Sequence, residues 1–118
     1  MLLPIQRTRV ANIRDLPSGW KKEPRYVYIG RGGPYGNPVK VGNYVCPECG
    51  DFGVHQTRGS TLVCYEAYLR RRIAEGLLDI FGLQGKTLVC FCKPDHCHGD
   101  IIVKVLEENH AFYGSGSP

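Results

Sequence analysis

The sequence contains no run of about eighteen apolar residues, which excludes a membrane-spanning helix of ordinary length. Residues 1–7 also lack the basic region, the apolar stretch and the cleavage site of a signal peptide. We therefore expect a cytoplasmic protein without membrane contact. Six cysteines in a reducing compartment then indicate metal or thiol chemistry rather than disulfide bonds.

Length and charge are those of an ordinary globular domain. With 118 residues, of which 42% are hydrophobic and 22% charged, the chain can form one domain with a modest core. The net charge of +4 is mild. Basic residues cluster at Arg7/Arg9, Lys21/Lys22 and Arg70–Arg72. Such clusters can contact phosphates, but we interpret these as solvated surface.

The pattern of apolar residues predicts a small single α/β domain over residues 1–113, with a short, mainly parallel sheet flanked by helices. Residues 114–118, Gly-Ser-Gly-Ser-Pro, are expected to be a flexible tail or a remnant of cloning. The expected strands lie at 26–29 and 87–92, side by side, with an edge strand at 8–13 as an option, and the expected helices lie at 61–76 and 99–109.

The first helix carries an apolar stripe. Apolar side chains recur there at intervals of three and four residues, which is typical of a helix face that packs on a core. The stripe consists of Leu62, Tyr65, Leu69, Ile73 and Leu77.

A glycine-rich loop, Gly30–Pro38, follows the first of these strands. It holds four glycines and two prolines in nine residues, and Arg31 adds a cation with bidentate geometry. The loop could cradle a phosphate or a carboxylate, or it could be a plain tight loop. Its spacing is not that of a Walker or dinucleotide-binding fingerprint. The candidate ligand-binding residues are Gly30, Arg31, Gly32, Gly33 and Asn37.

Residues 43–59 resemble an inserted zinc knuckle. Cys46-Pro-Glu-Cys49-Gly places two thiolates where they can bind one metal ion, and His55 and Cys64 are plausible further ligands. The alternative makes Cys64 a packed helix residue and His55 a loop residue exposed to solvent. We favour metal at the Cys46/Cys49 pair, with zinc as the expected ion.

The stretch Gly85–Asp100 concentrates reactive side chains where a strand turns into a helix, and open α/β folds often bind ligands at that edge. Asp95 is the expected cap of this helix. Three interpretations are open. In the first, the cysteines are packed in the protein and only the helix amides bind a ligand phosphate. In the second, the cluster holds a second metal ion. In the third, Cys97 is a nucleophile and His98 its acid or base. The possible second metal site comprises Cys90, Cys92, Cys97 and His98.

Three segments together resemble the family called domain of unknown function 4326, which occurs in bacteriophages and bacteria. They are YIGRGGPYGNP at 28–38, YEAYL at 65–69 and LQGKTLVCFCKPDHCHGD at 83–100. The resemblance covers most of residues 25–108 and implies an α/β domain of phage type, without a particular activity. The Cys46–His55 segment departs from the usual pattern. The signature positions are Gly30, Arg31, Gly36, Asn37, Pro38, Cys90, Cys92, Pro94, Cys97 and His98.

From these features we expect a pocket between the glycine-rich loop and the Cys97–His98 turn. The leading hypothesis is a small phage-type protein that binds a nucleotide or nucleotide-like phosphate there, with Cys97 or His98 acting on the ligand if the protein is an enzyme. The alternative is a zinc-stabilised adaptor that binds nucleic acid or a host protein. The sequence leaves the oligomeric state open.

Overall fold

The computed structural model describes residues 7–91, 93 and 97–115, with side chains up to residue 108. It contains three strands and two α-helices, joined by loops and short 3-10 turns. The elements are β1 Arg9–Asn12, β2 Tyr26–Tyr28, α1 Leu62–Ala74, β3 Thr87–Cys90 and α2 His98–Ser115.

The three strands form one parallel sheet in the order β1-β3-β2, so the last strand of the chain lies in the middle. Thr87 of β3 is in register with Arg9 on one side and with Tyr26 on the other. The central position explains the continuous apolar run of β3, because Leu88, Val89 and Cys90 are all fully buried. The predicted α/β fold with a parallel sheet is confirmed.

The two helices share one core with one face of the sheet. Leu88 and Cys90, two residues apart, face the same side of β3 and join this core. The opposite face of the sheet carries Tyr28, in register with Val89, and the neighbouring ring of Phe91. The helices contribute Tyr65 and Leu69 from α1, and Ile102, Val105 and Leu106 from α2.

The apolar stripe of α1 is shorter than the sequence predicts. Tyr65 and Leu69 are fully buried, but Leu77 is 59% exposed. The helix ends at Ala74 because Gly76 takes a left-handed conformation, with φ of +73°. The amide of Leu77 then donates to the carbonyl of Arg72 at 2.9 Å, the closing bond of a Schellman motif. Leu77 therefore leaves the helix before it can reach the core.

Charged side chains bridge the outer faces of the two helices. Glu66 of α1 pairs with Arg70 one turn later and with Lys104 of α2, both at 2.9 Å. Arg70 also reaches Glu108 of α2 at 2.8 Å. Part of the basic cluster at Arg70–Arg72 is thus paired with carboxylates at the surface. None of the helices within the described residues has both the length and the apolar character needed to cross a membrane.

Candidate metal centre and ligand pocket

The segment between β2 and α1 brings together four potential metal ligands. The ligand atoms of Cys46, Cys49, His55 and Cys64 all lie within 4.8 Å of one another. Sulfur atoms bound to one tetrahedral zinc ion at about 2.3 Å would be separated by distances of that order. The four residues proposed from the sequence therefore form a cluster that can hold a metal ion.

Local hydrogen bonds shape the turn that carries the first two ligands. The Sγ atom of Cys46 accepts hydrogen bonds from the amides of Glu48 and Cys49, both at 3.4 Å. The carbonyl of Cys46 accepts from the amide of Gly50 at 2.9 Å, and its own amide donates to Asp51 at 2.9 Å. These bonds turn the chain back on itself and point two sulfur atoms to the same side.

The electrostatics of the cluster favour a cation at its centre. Both ring nitrogens of His55 are buried and have no hydrogen-bond partner within the described residues. A buried polar atom without a partner costs about 1–3 kcal/mol, and a bound metal ion would remove that cost at the coordinated nitrogen.

The cysteine pKa values point the same way. Burial raises the pKa of the Cys46 thiol, but the hydrogen bonds from the amides of Cys49 and Glu48, together with the neighbouring side chains of His55 and Cys49, outweigh it and lower the pKa to about 6. Burial, together with the neighbouring Cys46 and Cys49, raises the pKa of Cys64 to about 12. Thiolates held this close repel one another, and a cation between them would relieve the repulsion.

Two contacts hold residues 43–57, the metal-binding segment, against α1. Cys64 lies in the first turn of that helix, and Arg71, seven residues later on the same face, forms an ion pair with Glu48. Glu48 stands between the two cysteines of the turn, so the ion pair fixes the turn directly.

A cavity of about 280 Å³ lies at the carboxyl edge of the sheet, beside the glycine-rich loop. Parallel α/β folds commonly bind ligands at this edge. Of the residues that the structure describes, the lining contains two arginines and a histidine but no carboxylate. The lining residues are Tyr28, Gly30, Arg31, Asn37, Val41, Arg58, Thr61, Leu62, Phe91 and His98.

Two glycines of the loop, Gly30 and Gly36, are required by close packing. A Cβ atom at Gly30 would collide with the ring of Tyr28, and one at Gly36 would lie 2.7 Å from the carbonyl oxygen of Gly30. Arg31 braces the same loop, since its guanidinium donates to the carbonyls of Asn37 at 2.7 Å and Val39 at 3.0 Å. Gly32 and Gly33 belong to the loop but do not line the cavity.

Asn37 ties the loop to the beginning of α1. The side-chain NH2 group of Asn37 donates to the hydroxyl of Thr61 at 2.9 Å, and its side-chain oxygen Oδ1 accepts from the amide of Val39 at 2.9 Å. The hydroxyl of Thr61 donates in turn to the carbonyl of Arg58 at 2.8 Å. One chain of hydrogen bonds thus connects three residues of the cavity wall.

His98 lines the cavity but is held by the protein. Its Nε2 atom contacts the carbonyl oxygen of Ile29, which can only accept, so this nitrogen carries the proton. Its ring packs edge-on against Tyr65, with centroids 5.1 Å apart. Burial lowers the pKa of His98, and the nearby Arg31 lowers it further. The imidazole is therefore neutral at pH 7.

Cys97 is fully buried just before α2. Its Sγ atom accepts a hydrogen bond from the amide of Gly99 at 3.3 Å, which is the geometry of a helix cap. A nucleophilic thiolate needs access to its substrate, and this burial does not provide it.

The second possible metal site is not assembled by the described residues. Cys90 is fully buried, with Sγ 3.6 Å from the carbonyl oxygen of Ala11, and it forms no metal-ligand cluster with Cys97 and His98 within the described part of the chain. Cys92, the predicted helix cap Asp95 and the signature residue Pro94 lie outside the described residues.

Several cavity residues have no counterpart among the candidates from the sequence, namely Tyr28, Val41, Arg58, Thr61, Leu62 and Phe91. Tyr28 and Phe91 could have been inferred, because they stand at the carboxyl ends of two neighbouring parallel strands. Arg58 carries no such signal, since it follows the metal-binding segment in a loop.

Comparison with known proteins gives a family but no activity. Residues 13–108 match the family described as domain of unknown function (DUF4326). The chain belongs to this family. No curated protein and no solved structure matches it. This DUF4326 domain includes the metal-ligand cluster within the matched residues.

Proposed function

We propose that the cavity beside the glycine-rich loop binds the phosphate group of a nucleotide or nucleotide-like small molecule. The observation that carries the proposal is the charge of the lining, which contains Arg31 and Arg58 and, among the described residues, no carboxylate. Neither arginine forms an ion pair with any described residue, so their charge is available to an anion. The amino end of α2, at His98, adds the positive end of a helix dipole.

The proposal concerns binding and leaves out a chemical step. Cys97 is fully buried, and the Nε2 proton of His98 is engaged by Ile29. Their predicted catalytic roles stay predictions without added support. His98 suits a structural role instead, because its neutral ring packs against Tyr65 and forms a rigid part of the cavity wall.

We further propose that zinc is the ion of the metal-ligand cluster. Three thiolates and one imidazole form a donor set that zinc prefers, and four protein ligands complete its tetrahedral shell. Bound there, zinc would supply a structural crosslink. The cytoplasmic location and the phage origin remain proposals from the sequence.

The metal-ligand cluster supports the pocket in this proposal. Val41 and Arg58 line the cavity and flank the segment that contains Cys46, Cys49 and His55. The amide of Gly42, next to Val41, donates to the carbonyl of His55 at 2.8 Å. A metal ion that holds this segment on α1 would therefore also hold one wall of the pocket.

The test is isothermal titration calorimetry with nucleoside monophosphates on the metal-loaded protein. Arg58→Ala should weaken binding about tenfold or more, because a hydrogen bond to a charged group contributes about 1.5–3 kcal/mol. Arg9→Ala is the matched control: it removes the same charge at the amino end of β1, away from the cavity. Equal affinities in the two variants, or no binding to the wild type, would refute the proposal.

A second candidate is an adaptor that uses the metal-binding segment as its contact surface. The observation that favours it is a group of exposed apolar side chains, Tyr44, Val45, Phe52 and Val54, each at least 50% exposed. Exposed apolar groups on one small segment are typical of contact surfaces. For a nucleic-acid partner, we would expect binding that falls steeply with salt concentration and is weakened by Phe52→Ser rather than by Arg58→Ala.

A further inference from the structure

A second cavity adjoins the first along two aromatic rings. It has a volume of about 450 Å³ and is lined by Ile13, Trp20, Lys21, Tyr28 and Phe91. Tyr28 and Phe91 also line the first cavity, so the two cavities are neighbours across this pair. The first cavity contributes Arg31 and Arg58 to the combined lining, and the second contributes Lys21.

The two shared rings are held in a defined arrangement. Their centroids are 6.2 Å apart and their planes meet at 80°, an edge-to-face contact. Tyr28 is further fixed by Gly30, because only a glycine leaves room for its ring against the loop. Even so, Tyr28 is 38% and Phe91 58% exposed. Two oriented rings thus keep apolar surface available at the edge where a parallel sheet binds ligands.

The chemistry of the second cavity selects against a sugar. Apart from Lys21, the hydroxyl of Tyr28 and the indole N–H of Trp20, its described lining is aliphatic and aromatic. Sugar hydroxyls placed there would lose hydrogen bonds to water without replacement. A flat aromatic base suits such walls, because its faces can pack on rings, and Lys21, 5.9 Å from the centre of the Trp20 ring, can meet a polar edge.

We propose that Tyr28, Phe91 and Trp20 form the base-recognition wall of this pocket, so that the ligand is a nucleotide rather than a sugar phosphate. This inference rests on the proposed function, which places the phosphate at Arg31 and Arg58. The base packs against Tyr28 and Phe91 and enters the second cavity towards Trp20. The three aromatic residues then determine specificity, while the arginines provide the anchor.

The experiment compares a nucleoside monophosphate with ribose 5-phosphate, which carries the same phosphate without a base. The chain has a single tryptophan, so its fluorescence reports on the second cavity alone. We expect the nucleotide to bind about tenfold more tightly than ribose 5-phosphate and to change the emission of Trp20. Ribose 5-phosphate, followed by calorimetry, should bind without changing the emission.

Phe91→Leu separates the base contact from the phosphate contact. It should lower nucleotide affinity to about that of ribose 5-phosphate and leave ribose 5-phosphate affinity unchanged. Phe81→Leu is the matched control, since Phe81 is 49% exposed and lies outside both cavities. Thermal melts of both variants exclude a folding defect as the cause.

The outcomes distinguish this inference from the proposed function. If the nucleotide and ribose 5-phosphate bind equally and both depend on Arg58, the base wall is refuted and the phosphate site stands. If neither ligand binds, both ideas are refuted. A single-stranded oligonucleotide that binds far more tightly than the mononucleotide, with steep salt dependence, would overturn the small-ligand inference in favour of a nucleic-acid strand.

Discussion

Cys49→Ser provides the sharpest test of the metal-ligand cluster. Cys49 is exposed, so replacing its sulfur by oxygen removes little packing. An exposed substitution of this kind normally changes the free energy of unfolding by no more than about 0.5 kcal/mol. A much larger loss would have to come from the metal ion, because Ser is a poor ligand for zinc.

The expected size follows from the number of ligands. Structural zinc binding in small peptides contributes about 10–16 kcal/mol, and sharing that among the four ligands of the cluster gives roughly 2.5–4 kcal/mol for each. In a domain of 118 residues, 1 kcal/mol shifts the melting temperature by roughly 3–6 °C. We therefore expect Cys49→Ser to lower the melting temperature by about 10–20 °C when metal is present.

The assay is a thermal melt of both proteins with and without a chelator, alongside metal content by mass spectrometry. The wild type should carry one zinc ion per chain. The chelator should remove most of the difference between the two proteins, because neither then holds metal. If the difference persists in chelator, or if the wild type carries no metal, the metal interpretation is refuted.

Three further predictions concern the loop, the buried histidine and the helix pair. Gly36→Ala should destabilise the protein by about 1–3 kcal/mol in a denaturant titration, because its Cβ would lie 2.7 Å from the carbonyl oxygen of Gly30; wild-type stability would contradict the close packing. Burial and the nearby Arg31 lower the pKa of His98, against the opposing effects of its hydrogen bond to Ile29 and of Asp100. The contribution of His98 to stability is therefore present above about pH 6.5 and is lost as the pH falls. Unfolding free energies at pH 7.5 and 5.5 should therefore differ less in His98→Gln than in the wild type, and equal differences would disprove the role of His98. Glu66→Gln should cost no more than about 1 kcal/mol at low salt and less at high salt, because its ion pairs with Arg70 and Lys104 lie at the surface; a cost that does not change with salt would argue against an ionic origin.

The site could be predicted only in part. Cys46 and Cys49 could be predicted as ligands from the sequence, because two cysteines three residues apart in a turn must lie close together. His55 and Cys64 were open alternatives, since their approach to the cluster depends on how the segment packs on α1. The Gly30–Pro38 loop was recognisable by composition, but its glycines pack against Tyr28 and its own backbone, contacts that composition does not reveal.

Cys97 and His98 show where residue chemistry misleads. Both could act on a ligand, but His98 is engaged by Ile29 and Cys97 by the first turn of α2. Arg31 also donates to two loop carbonyls, but neither bond neutralises its charge. Arg58, which carries no motif, contributes a cation without such bonds to the same cavity.

By itself, the sequence determined the features that depend on neighbours in the chain. These are the α/β class, the family, the strand segments and the cysteine turn, because hydrophobic period and short spacing act over a few residues. The tertiary structure alone decided the central place of β3, the contact of Tyr28 with Phe91, and the presence of Arg31 and Arg58 in the wall of one cavity. Those contacts join residues far apart in the chain, and they arise only when the sheet, the helices and the metal-binding segment pack together.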